Sequence, residues 1–201
     1  MKDEQDYIRN IAEIRSMMER TSKFLSLSGW AGIIAGIYAL SGAWIASYVF
    51  GFNPNDIFYS SPNLPNVVML ACFVLILALV TAIYFSWKKS RQRSEKVWNT
   101  TSRRLLTHMA VPLVSGGIFI LFLMSNGLTG LIAPLTLLFY GLALYNAGTY
   151  TIFEVRLMGM IQIALGLINC WFIEFGLIFW AIGFGIVHIT YGIYMHFRYE
   201  R

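Results

Sequence analysis

A chain of 201 residues makes either one soluble domain or one compact bundle of membrane helices, and composition decides between them. With 57% hydrophobic and 12% charged residues it lacks the polar surface of a water-soluble domain, which carries about 25% charged residues. The net charge of +5 does not point to nucleic acid, because the positive side chains flank apolar segments and no base-reading motif lies among them.

Residues 1–23 are polar but patterned. Tyr7, Ile11, Ile14 and Met18 recur on one helical face, which Ile8 and Met17 widen. Asp3, Glu4, Glu13 and Glu19 alternate with Arg9, Arg15 and Arg20 around the rest. The pattern predicts a short amphipathic helix on the bilayer surface or against the bundle, and the same spacing fits a docking or dimerisation helix. So long a charged segment ahead of the first apolar run is unlike a cleavable signal peptide.

The first apolar span covers 24–50, roughly 40 Å of helix, which exceeds a bilayer core of about 30 Å and predicts tilt or protrusion. Ser28, Gly32 and Gly36 form one row of small residues, beside Ala31, Ala35, Ala39 and Ala43. Gly32-x-x-x-Gly36 permits close backbone approach and is expected to pack inside its own bundle. Residues 51–66 carry Pro54, Pro62 and Pro65 but no Lys or Arg, and read as an outer loop edged by Tyr48, Phe52, Phe58 and Tyr59. The second span, 67–87, is the most lipid-like of the set. Cys72 in it, and Cys170 later, are expected to be small core residues.

Between 88 and 104 comes a basic loop with Lys88, Lys89, Arg91, Arg93, Lys96, Arg103 and Arg104 against the single acid Glu95. A short basic loop between two membrane-length segments stays cytoplasmic and fixes the orientation of the chain. The third span, 105–125, contains Pro112, a predicted kink. Asn126-Gly127 signals a tight turn, and the fourth span, 128–148, carries Pro134 in mid-course. A short inner loop at 149–156 holds Glu154 and Arg156, and the fifth span, 157–173, is close to the lower length limit. Glu174 caps the outer turn before the last span, 175–197. Six spans with both ends cytoplasmic would place all 15 Lys and Arg on one side and leave Asp56 and Glu174 on the other. The expected fold is therefore an all-α integral membrane bundle of three consecutive hairpins over 24–201, in a bacterial inner membrane, with the amphipathic helix before it.

Short echoes accompany the hairpins. TSKFL at Thr21 matches TSRRL at Thr101, FYGL at Phe139 matches TYGI at Thr190, and Arg104-Leu105-Leu106 matches Arg156-Leu157-Met158. Tandem duplication would produce them, and chance matching between apolar segments would too. From Leu105 to Tyr199 the glycine spacing resembles the bacterial acid-resistance membrane proteins built of repeated two-helix units. The general plan is similar to small bacterial six-helix inner-membrane proteins. Neither resemblance supplies functional residues.

Polar side chains at membrane depth are the candidates for chemistry, because they are costly there. His188 lies deepest, with Tyr191 and His196 farther along the same helix. Gln162 and Asn169 mark a polar stripe on the fifth span, and packing the two stripes together would give His188 an amide partner. The seam is either a pathway or an interhelical hydrogen bond that holds the bundle. His108, Glu154, Arg156 and His196 are expected near the inner interface, where two histidines could ligate haem or metal, although no further ligand pattern supports this. No HExxH, GxSxG, Walker A or dinucleotide fingerprint occurs. These features favour a non-enzymatic module without cofactor or metal, binding a partner or lipid in an envelope maintenance or regulatory role. The alternatives are a small channel or transporter using the seam, or an intramembrane enzyme. Contacts are expected with the lipid bilayer and, through residues 1–23 and the loop 88–104, with a protein partner or a second copy, not with nucleic acid.

Overall fold

The computed structural model describes residues 28–92 and 98–199. The amphipathic helix expected over 1–23 and the middle of the basic loop lie outside the described residues. What is described is all-helical, with six helices long and apolar enough to cross a membrane: α1 Gly29–Tyr48, α2 Leu64–Gln92, α3 Thr100–Ser125, α4 Thr129–Ala147, α5 Phe153–Trp171 and α6 Ile173–Tyr199.

Several boundaries move from where hydropathy puts them. Pro65 falls in the first turn of α2, where its missing N–H costs no intrahelical bond, so the helix starts three residues early. It then continues through the basic residues to Gln92, since Lys, Arg and Gln are good helix formers. At the start of α3, the Asn99 side chain accepts from the Ser102 N–H at 2.8 Å while Ser102 Oγ accepts from the Asn99 N–H at 2.9 Å. This reciprocal cap places Arg103 and Arg104 on a fixed helical turn instead of in a loop. Glu154 and Arg156 likewise belong to the first turns of α5, not to a loop. Pro134 sits in the first turn of the regular part of α4, Ile132–Ala147, and not in mid-course. Helix α3 runs on through Pro112.

Two pairs of helices are pressed together at glycines, and the two crossings match residue for residue. In the first, a Cβ at Gly159 would lie 2.8 Å from the Gly141 carbonyl oxygen and 2.6 Å from the Tyr145 nitrogen. One at Gly166 would meet the Pro134 carbonyl at 2.7 Å. In the second, a Cβ at Gly29 would strike the Gly192 carbonyl and lie 2.7 Å from the His196 nitrogen. One at Gly36 would meet the Gly185 carbonyl at 2.7 Å. Gly141 and Gly192, the glycines of the FYGL and TYGI echo, thus occupy equivalent places where α4 meets α5 and where α6 meets α1. Without a Cβ on either side the backbones approach to van der Waals contact, the packing that holds helices together where burial of apolar surface provides no drive.

The helices consequently do not stand as three separate hairpins. Helix α5 leans mainly on α4, and α6 mainly on α1. Gly42 of α1 receives Val74 of α2, and Gly116 of α3 receives the ring of Phe139 of α4. At one end of the bundle the segment after α1 folds back over α4: the Gly130 N–H donates to the Ile57 carbonyl at 3.1 Å, and Thr129 Oγ1 donates to the Tyr59 carbonyl. Phe52 is buried there against Tyr59, so it is a core residue of this cap. Cys72 and Cys170 are exposed on the outer surface, where small core residues had been expected. Large apolar side chains stand on that surface, Trp44, Phe73, Ile83, Val111 and Leu121 among them.

Candidate functional site

Helix α6 is not a uniform helix. Between regular segments Gly176–Trp180 and His188–Tyr199 it widens into a π-helical stretch over Ala181–Val187. Such wide turns recur at functional sites because they displace carbonyls from the regular ladder. Gly183 lies within this one, and a side chain there would collide with Leu137 of α4 and Gln162 of α5.

The Gly183 carbonyl accepts from two side chains. Gln162 Nε2 donates to it at 2.8 Å from α5, and His188 Nδ1 donates at 3.0 Å from one turn farther along α6. A carbonyl oxygen can only accept, so Nδ1 carries the hydrogen. In the neutral ring Nε2 is then the acceptor, and it takes the Tyr140 hydroxyl hydrogen from α4 at 2.8 Å. The Tyr140 and His188 rings stack at 5.5 Å, with Phe184 5.0 Å from Tyr140. The result is a chain of fixed polarity, Tyr140 to His188 to Gly183, with Gln162 joining from the other side. It ties α4, α5 and α6 together. Gln162 is completely buried, with its Oε1 unpartnered, His188 is 8% exposed and Tyr140 is half-buried.

Of the residues singled out from the sequence, His188 and Gln162 therefore meet, through a backbone carbonyl and not directly. Asn169 does not join them. It lies two turns beyond Gln162, at the end of α5, and Asn169 Nδ2 donates to the Phe172 carbonyl at 2.9 Å as a C-terminal cap. Tyr191 packs against the apolar cluster around Met195 and Leu144. His196 turns to α1, its ring edge-on to Trp30 at 5.4 Å. Tyr140 and Gly183 escaped the sequence reading. A hydroxyl in mid-span was the available signal for Tyr140; nothing in one sequence marks a carbonyl.

The inner-interface candidates separate into three local contacts. The Tyr150 hydroxyl and His108 Nε2 share a 2.8 Å hydrogen bond. Glu154 accepts from the Tyr199 hydroxyl at 2.9 Å and stands 3.8 Å from Arg198 Nε, which pins the end of α6 to the start of α5. The Arg156 guanidinium lies over the Tyr145 ring at 4.9 Å. His108 and His196 have different ring partners, and among the described residues no three His, Cys, Asp or Glu side chains converge as a metal would require. All described Lys and Arg fall at this end of the bundle, with Asp56 and Glu174 at the other.

The arrangement defines a class, an all-helical bundle with six helices of membrane-crossing length and a buried polar chain at its centre. No protein-family model, curated protein or solved structure matches the chain.

Proposed function

We propose that the protein is a non-enzymatic, non-transporting module of the bacterial inner membrane, with both ends cytoplasmic, that binds a lipid or protein partner in an envelope maintenance or regulatory role. The observation that carries this reading is the state of the central seam. A pathway needs polar groups facing water or a vacant site; here the donors of Tyr140 and Gln162 are engaged by neighbouring helices, that of His188 by a carbonyl of its own helix, and Leu137 packs beside them. The ends support the same reading: the loop after α1 packs over one, and the Glu154, Tyr199 and Arg198 contacts fasten the other.

Reconstituted vesicles test it. Parent protein and His188→Gln are expected to show the same proton permeability as protein-free vesicles across a pH gradient. A pH-dependent flux in the parent that His188→Gln lacks while still folded would replace the module with a transporter, since glutamine cannot exchange a proton.

The orientation rests on charge. In a background with Cys72 and Cys170 replaced by serine, an impermeant thiol reagent on intact cells is expected to label Ser61→Cys. Ser94→Cys is expected to label only after permeabilisation. The reverse pattern would invert the bundle.

A further inference from the structure

Going round the bundle, every consecutive pair of helices but one has a joint. Helices α1 and α2 meet at Gly42 and Val74, α3 and α4 at Gly116 and Phe139. Helices α4 and α5, and α6 and α1, close through matching glycine crossings, and α5 reaches α6 through Gln162 and Gly183. Helices α2 and α3 share no packed face among the described residues. No residue in the apolar window of α2 is buried, and large side chains such as Ile76, Val80, Val111 and Val114 stand exposed on the two helices.

At one end the two helices are nevertheless held near each other. Eight residue steps separate Gln92 from Thr100, and a fully extended chain covers at most about 3.6 Å per residue, so the helix ends stand no more than roughly 29 Å apart. Positive charge is concentrated there from both sides. Lys88 and Arg91 are exposed on the last turns of α2, Arg91 lying over the Trp87 ring at 4.0 Å; Arg103 and Arg104 are exposed on the capped first turn of α3. No acidic side chain occupies the first turn of α3 or the last turns of α2. These four exposed cations flank the apolar sides of the two helices. The group that offers an anion at the interface and apolar chains below it is a phospholipid with a net negative headgroup.

We propose that the joint between α2 and α3 is a seat for an anionic phospholipid, its phosphate held by Lys88, Arg91, Arg103 and Arg104 and its acyl chains lying along the exposed sides of the two helices. The proposal rests on the lipid-binding reading above and names the lipid class and the place.

Full-length protein released from nanodiscs of equal phosphatidylglycerol and phosphatidylcholine, and weighed by native mass spectrometry, tests it. The parent is expected to retain phosphatidylglycerol in preference to phosphatidylcholine. Both Arg103→Gln/Arg104→Gln and Lys88→Gln/Arg91→Gln are expected to lower that retention roughly tenfold or more, as loss of two interfacial cations should. All four positions are exposed, so melting temperatures should match the parent. Arg198→Gln, which removes a cation at the same end but on α6, is expected to change retention little, and millimolar inorganic phosphate is expected not to displace the lipid. Equal retention by parent and both double variants would overturn the seat, as would an equal loss in Arg198→Gln, or displacement by free phosphate. Any of these results without proton flux would leave the packed module standing; flux in the parent would remove that module whichever lipid is retained.

Discussion

Gly36→Leu is expected to separate α1 from α6 and to cost about 3 kcal/mol or more, beyond the ordinary range for overpacking a core. Even the first added carbon at this position would stand 2.7 Å from the Gly185 carbonyl oxygen and 3.1 Å from the Ile189 nitrogen. Both are backbone atoms of a helix that cannot yield locally. The remaining leucine carbons would have to displace the whole of α6, and with it the turn that holds His188. Gly117→Leu is the control. A Cβ there meets nothing within 4 Å, and leucine is the better helix former, so this variant should melt at or above the parent temperature. Thermal unfolding in detergent, followed with size-exclusion chromatography, reads both. Parent-like behaviour of Gly36→Leu would mean that this face of α1 does not meet α6.

The contrast between these two glycines shows what could be read from sequence. Small residues four apart on α1 announce a close helix contact, because only missing side chains let backbones touch. The pattern does not name the partner, since Gly185 and Gly192 sit at the far end of the chain. The spans themselves were legible from apolar length. Their ends were less so: hydropathy falls at Lys88, but helix propensity does not, and α2 continues to Gln92. The same reasoning misplaced Asn169. It shares a helical face with Gln162, yet at the last turn of α5 a free carbonyl competes for its amide, and local capping prevails over a partner on another helix. His188 stood out as a buried titratable side chain. Its acceptor and donor did not, because one is a carbonyl exposed by a wide turn and the other comes from a residue 48 positions away.

His188→Leu is expected to destabilise the protein by about 1–3 kcal/mol, mostly through what it leaves behind. Gly183 keeps the Gln162 amide, so its carbonyl remains paired. The Tyr140 hydroxyl, by contrast, loses the ring nitrogen that accepts from it at 2.8 Å. Removing both ends of a buried hydrogen bond costs less than removing one. The double variant His188→Leu/Tyr140→Phe should therefore recover most of the loss, and Tyr140→Phe alone should sit between it and His188→Leu. A stability cycle over the four proteins measures the coupling. Double-mutant cycles in a membrane protein place interhelical hydrogen bonds at about 0.6 kcal/mol on average and about 1.7 at most, so a coupling inside that range fits a strut between α4 and α6. No coupling at all would mean that the two side chains do not meet in the folded protein. In that case the seam would not be tied across the bundle and would lose its central contact.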